Sequence, residues 1–276
     1  MTSDNRGLLA GKRALIAGVA DKHSIAWGIA SAFHDQGASL AMTYQEEPKG
    51  RIERNVRNLV AELEGGTEPI LVPCDVTDDT SIDAVVSTIR NQWDSLDILV
   101  HCVAYADRDD LNKPFSEVSR SGYKMAMDIS AYSLNALSRA CLPLMRQAGG
   151  GSVIALTYNA VERTVPGYSA MAAAKAALEL GVRYLAVELG PDKVRVNAIS
   201  AGPIRTLSAS AVKGISALRK WTEAAAPMRE NITPEDVGHT AVYLAGDMSR
   251  LVTGNCIFVD SGTHVLAAQG SAVIEG

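Results

Sequence analysis

A chain of 276 residues is about 1.8 times a typical domain, so its length admits one large unit or two small ones, and neither a metal nor a disulfide is needed to hold a core. With 47% apolar and 21% charged residues, and 26 basic against 31 acidic side chains for a net charge of −5, the composition excludes intrinsic disorder and a nucleic-acid surface built on bulk positive charge. The four cysteines (Cys74, Cys102, Cys141, Cys256) and five histidines are scattered without metal-ligand spacing, and no apolar run is long enough to span a bilayer, so the expectation is a cytoplasmic protein with free thiols, no metal and no membrane contact.

Short apolar runs alternate with amphipathic stretches along the chain, the pattern of βα units feeding a parallel sheet. Arg13–Ala17 reads as the first strand. The loop after it, Gly18-Val-Ala-Asp-Lys-His-Ser24-Ile-Ala26-Trp-Gly28, spreads small residues as G-x5-S-x-A-x-G before a helix from about Ser24 to Gln36. Gly18 lets the chain turn off the strand, Ser24 can cap the helix and offer a hydroxyl to phosphate, and Ala26 and Gly28 are expected to bring the helix close to the sheet. A pyrophosphate at this helix N-terminus would meet free N–H groups and the positive end of the dipole.

The second strand, Ser39–Thr43, ends in Tyr44-Gln45-Glu46-Glu47. Two carboxylates there would repel a 2′-phosphate and Gln45 can bond adenosine, which predicts NADH over NADPH unless Glu46 and Glu47 are merely a solvated loop. A helix follows with Ile52, Val56, Leu59, Val60 and Leu63 on one face. The third strand, Pro69–Val72, leads to Asp75-Val76, where the carboxylate could grip adenine or simply close a turn. Ile82, Val85, Val86 and Ile89 mark the next helix, and Asp97–His101 the fourth strand. Helix is then expected over about Gly122–Met145, strand over Ser152–Leu156, helix from about Tyr168 to Leu189 and strand over Val194–Ile199. A small-residue segment from Ser200 to about Lys213 precedes helices near Ile215–Ala226 and Pro234–Leu244 and a last strand, Cys256–Val259. Seven strands with six helical crossovers make a doubly wound α/β sheet with helices on both faces and a ligand crevice at the carboxyl ends of the strands. With no linker and no internal repeat, residues 1–276 read as one domain.

Tyr168 and Lys175 lie seven positions apart at the start of a helix, about 20° short of two full turns, so both side chains project from one face roughly 10 Å apart along the axis. A lysine ammonium near a phenol is expected to lower the phenol's pKa, and it can also hold ribose hydroxyls.

The glycine loop, Tyr158, the Tyr168-x6-Lys175 spacing and the run Val194 to Thr206 together resemble the short-chain dehydrogenase/reductases, and within them the bacterial NADH-dependent enoyl-acyl-carrier-protein reductases, from about Leu9 to Ala268. Ordinary members place Tyr and Lys four apart and carry a serine where this chain has Tyr158. The resemblance implies a Rossmann fold in which Gly18, Ser24 and Ile25 hold the pyrophosphate end of NAD(H), and Gln45, Asp75 and Val76 its adenosine. It further implies that Val103 lines the nicotinamide, Lys175 bonds the ribose, the Ile204 backbone receives the carboxamide and Thr206 reaches phosphate. Tyr158, Tyr168 and Lys175 are the implied catalytic set, with Ala106, Tyr158 and Tyr168 touching substrate. The implied reaction moves hydride from NADH to C3 of a trans-2-enoyl thioester on an acyl carrier protein, the last step of the bacterial fatty-acid elongation cycle, and Tyr168 stabilises the enolate oxygen.

Where the family has a glycine after the fourth strand this chain has Ala104, expected to narrow the pocket beside the nicotinamide; Cys102 reads as a packing residue. Ser200–Ala226 reads as a lid or as a static helix, and Lys213, Arg219 and Lys220 as docking charges for an acidic carrier protein or as solvated side chains. The tail from about 266 to 276 is loose or crosses to a neighbouring subunit. The family implies a homotetramer. The competing functions are a carbonyl (3-oxoacyl) reductase of the same superfamily and an NAD(H)-sensing regulator without turnover.

Overall fold

The computed structural model describes residues 7–165, 167–206 and 214–266. All seven expected strands form: β1 (Arg13–Ala17), β2 (Ser39–Tyr44), β3 (Ile70–Pro73), β4 (Ile98–His101), β5 (Gly151–Thr157), β6 (Val194–Ala201) and β7 (Cys256–Val259). They make one parallel sheet in the order β3-β2-β1-β4-β5-β6-β7, so the winding reverses between β1 and β4 and opens a crevice there. The principal helices are α1 (Ile25–Asp35), α2 (Arg51–Ala61), α3 (Asp79–Arg90), α4 (Arg108–Leu111), α5 (Arg120–Met127), α6 (Ser133–Gln147), α7 (Ser169–Leu189), α8 (Ile215–Ala225) and α9 (Pro234–Ala245).

The strands read as apolar runs because both faces are covered. Successive residues point to opposite faces, and the core divides accordingly. Leu15, Leu99, Val153 and Val196 face the α3, α6 and α7 layer. Ala14, Ile16, Ile98, Val100 and Ile154 face α1 and α9.

Three sequence expectations need correction. Gly28 does not serve an approach of α1 to the sheet. A Cβ there would meet the Pro234 carbonyl oxygen at 2.4 Å, and one at Gly238 would meet the Gly28 carbonyl at 2.6 Å, so the two glycines let α1 and α9 cross backbone to backbone. The helix expected over Gly122–Met145 is α5 and α6 joined by a π turn, Asp128–Tyr132, because one extra residue is accommodated between them. The segment expected to leave the sheet at Ser200 remains strand to Ala201. Leu207, Val212 and Lys213 of the expected lid, and the tail beyond 266, lie outside the described residues. Ile215, Leu218, Arg219 and Lys220 belong to α8.

The four cysteines are free. Among the described residues no cluster of His, Cys, Asp or Glu could hold a metal ion, and no helix is long and apolar enough to cross a membrane.

Candidate active site

A cavity of about 1330 Å³ runs along the carboxyl ends of the strands, from the tips of β2 and β3, past β1 and β4, to the start of α7. Eleven of the thirteen sequence-derived site residues line it: Gly18, Ile25, Gln45, Asp75, Val76 and Val103 toward one end, Ala106, Tyr158 and Tyr168 toward the other, and Ile204 and Thr206 along the side. Ser24 and Lys175 are not in its wall.

At the β1 end the chain leaves the strand at Gly18 with φ +97°, and a Cβ there would sit 2.7 Å from the Cys102 carbonyl oxygen. Only glycine takes this backbone at so close an approach without strain. Ser24 is consumed locally: it caps α1 by accepting from Trp27 N–H at 3.2 Å and donates to the Asp21 carbonyl at 2.7 Å.

At the tip of β2, Glu47 has a local task as well as its charge. Its carboxylate accepts the backbone N–H groups of Lys49 and Arg51 at the start of α2, and these bonds hold its pKa below the usual carboxylate range. Asp75 Oδ1 accepts both the Thr77 N–H (2.9 Å) and its hydroxyl (2.7 Å), so it closes a turn while lining the cavity. The two readings of this position are compatible.

The other end is apolar. Ala106, Leu111, Ala126, Met171 and Ala174 form a small buried cluster against which Ala104 and Tyr168 pack. Tyr158, just past β5, and Tyr168, which caps α7, meet edge to face with ring centroids 5.0 Å apart. One turn of α7 beyond Tyr168 comes Met171 and the next brings Lys175, which is 4% exposed; its Nζ donates to the Leu156 carbonyl oxygen at 2.7 Å.

The expected lowering of a phenol pKa by Lys175 is not found. Burial pushes Tyr168 upward with Tyr158 adding to the shift, while burial and then the Asp260 carboxylate push Tyr158 up to about 12. Both remain neutral phenols at physiological pH, able to donate to a developing oxyanion. Burial also lowers Lys175 to about 8, which leaves it largely protonated near pH 7.

Several wall residues escaped the sequence reading: Tyr105, Arg108, Lys124, Met125, Ile129, Val165 and Met171. Only Met171 carried a usable signal, its position between Tyr168 and Lys175 on one helix face. The cavity fits a dinucleotide by its chemistry: a bare glycine turn, the amino end of α1 beside it, and polar groups at Gln45 and Asp75 far from the apolar end.

Residues 18–264 match the family model described as enoyl-(acyl carrier protein) reductase. The chain is 48% identical to the enoyl-(acyl-carrier-protein) reductase (NADH) FabI of a Nostoc species over 258 residues, which covers 94% of this chain and 98% of the relative. It is also 48% identical to the Bacillus cereus protein of the same name, covering 94% and 99%. Among solved structures it resembles the Bacillus cereus enoyl-acyl carrier protein reductase with NADP+ and an indole naphthyridinone, with TM-score 0.91, 47% identity and coverage of 95% of this chain and 100% of the other. The Anaplasma phagocytophilum reductase in complex with NAD superposes with TM-score 0.89 at 40% identity, covering 96% and 98%. The chain therefore belongs to the enoyl-(acyl carrier protein) reductase family.

Proposed function

We propose that this protein reduces the C2–C3 double bond of trans-2-enoyl thioesters carried by acyl carrier protein, using NADH, as the closing reduction of the bacterial fatty-acid elongation cycle. The observation that carries this reading is the Tyr158–Tyr168 pair facing the apolar end of the cavity, with Lys175 two turns along the same helix.

Gly18, Ile25, Gln45, Asp75, Val76, Val103, Ile204 and Thr206 would hold the dinucleotide along the strand ends, with Ser24 setting the amino end of α1. The negative charges of Glu46 and Glu47 beside Gln45 favour a free 2′-hydroxyl. When bound, NADH would supply the hydride for C3, and a proton from solvent would complete the reduction at C2. The acyl chain is accommodated by Ala106, Met171 and the neighbouring apolar wall.

Tyr168, held neutral by burial, donates its phenolic proton in a hydrogen bond to the thioester oxygen as negative charge gathers there. Tyr158 packs its ring against Tyr168 and restricts where that hydroxyl can point. Lys175 keeps a protonated amine anchored on Leu156 behind the tyrosine, and would have to turn from that carbonyl toward the cavity to hold ribose hydroxyls. The protein works in the cytoplasm as a homotetramer; an exposed apolar stripe on α7, Leu180, Tyr184 and Val187, supports self-association.

The test is NADH oxidation with crotonyl thioester against acetoacetyl thioester. The wild-type chain should oxidise NADH with the first and not the second. Tyr168→Phe and Lys175→Ala should each slow it by about 100-fold or more. Wild-type rates in both variants, or preference for the acetoacetyl compound, would overturn the assignment.

A further inference from the structure

The π turn between α5 and α6 sits against the segment that forms the substrate-facing wall. Ser130 within the turn and Ser133, the first residue of α6 after it, are both completely buried. Ser130 Oγ accepts the Tyr105 N–H at 2.9 Å and donates to the carbonyl of the same residue, also at 2.9 Å. One hydroxyl thus satisfies both backbone groups of a residue that has no strand neighbour, as a paired strand would.

Ser133 holds the other end of the segment. Its N–H reaches back five residues to the Asp128 carbonyl, as the π geometry requires, and its hydroxyl donates to the Ile129 carbonyl at 2.6 Å. That spends its only proton, so the 2.7 Å contact with His101 Nε2 has the imidazole donating. Burial keeps His101 neutral, consistent with one N–H on Nε2.

The two serines therefore clamp the first and fifth residues of His101–Tyr105. From this segment and its next residue, Cys102, Val103, Ala104, Tyr105 and Ala106 enter the cavity wall, and the π turn itself contributes Asp128 and Ile129. The inner end is fixed independently, by Cys102 N–H on the Ala17 carbonyl at 3.0 Å. Ser130 bonds the outer part at the Tyr105 peptide, between Ala104 and Ala106, which also pack in the apolar cluster with Leu111, Ala126 and Met171, next to Tyr168 rather than to the adenosine end.

We propose that Ser130 is a positioning residue for the enoyl substrate. It sets the placement of the Ala104–Ala106 wall through the Tyr105 peptide, with Ser133 and His101 securing the base of the same segment. The inference rests on the enoyl-reductase reading of the cavity. It assigns the π turn a purpose: the added residue frees the Ile129 carbonyl from its ordinary backbone partner and brings two hydroxyls to one loop.

The test compares the parent with Ser130→Ala and with Ser130→Cys, which keeps the side chain's size and loses most of its hydrogen-bonding strength. KM for crotonyl thioester should rise at least tenfold in both variants, KM for NADH should stay within about twofold, and the melting temperature should change little. Exchange of the Tyr105 amide, measured by NMR in the full-length protein, should quicken by 100-fold or more; this readout needs no turnover. An unchanged enoyl KM, an equal rise in both KM values, or a Tyr105 amide as protected as in the parent would overturn the proposal. A parent that fails to oxidise NADH with the thioester would instead sink the functional reading, and the exchange rates would still decide the clamp.

Discussion

His101 shows how a single buried group ties the site to solution conditions. Burial first, and the Lys175 charge second, lower its pKa to about 3, so the folded protein resists protonating it while the unfolded chain takes up a proton near pH 6.5. The unfolded state therefore binds more protons between those values. The associated stability is fully present above pH 6.5 and is lost as pH falls toward 3, in total on the order of 4–5 kcal/mol. Urea denaturation at pH 7 and pH 4 should show a larger loss for the parent than for His101→Gln, and equal losses would contradict it. Lys175 has the same sign in a higher window: its folded pKa of about 8 lies below the ordinary lysine value, so its burial costs most below pH 8 and is relieved as pH rises.

At the level of elements, the crossing of α1 over α9 rests on two missing side chains. Gly28→Ala would place a methyl 2.4 Å from a backbone oxygen that cannot swing aside, so the helices must separate. The expected cost is about 1–3 kcal/mol, read as a lower urea midpoint with an unchanged slope. A midpoint equal to the parent's would mean that α9 slides freely. The strands were legible because each is a short apolar run covered on both faces, and α2 and α3 because their buried residues recur at helical spacing. The π turn was hidden: a one-residue insertion leaves the composition of 122–145 helical and shifts only the bonding pattern, so Ser130 and Ser133 read as ordinary polar positions. Gly28 was recognised as an approach site, yet its partner was assigned to the sheet because a helix 200 or so residues away has no mark in a local pattern.

Over the whole molecule, the site follows from where the winding reverses, and that was readable because Gly18, Gln45 and Asp75 each follow a strand. The apolar end was less so. Tyr105, Met125 and Met171 are residues any core would use, and only the tertiary arrangement of the 101–129 segment against α7 turns them toward the cavity. The surface carries its own prediction. Tyr184 is 71% and Val187 80% exposed on the longest helix, an arrangement suited to burial against another copy. If the proposed homotetramer forms through this stripe, Val187→Lys combined with Tyr184→Glu should give smaller species by light scattering, with the fold retained by circular dichroism. An unchanged mass would place the interface elsewhere.

The Gly28–Gly238 crossing also has a bearing on how the chain is made. The first helix to leave the ribosome finds its permanent neighbour roughly 210 residues later, which at 5–20 residues per second is a wait of about 10–40 s. Through that interval the nascent chain carries the unshielded face of α1, with Gly28 and Ala32 on it. Early synthesis is therefore the period when this protein is most open to chaperones and to misassociation, and the last quarter of the chain is what ends it.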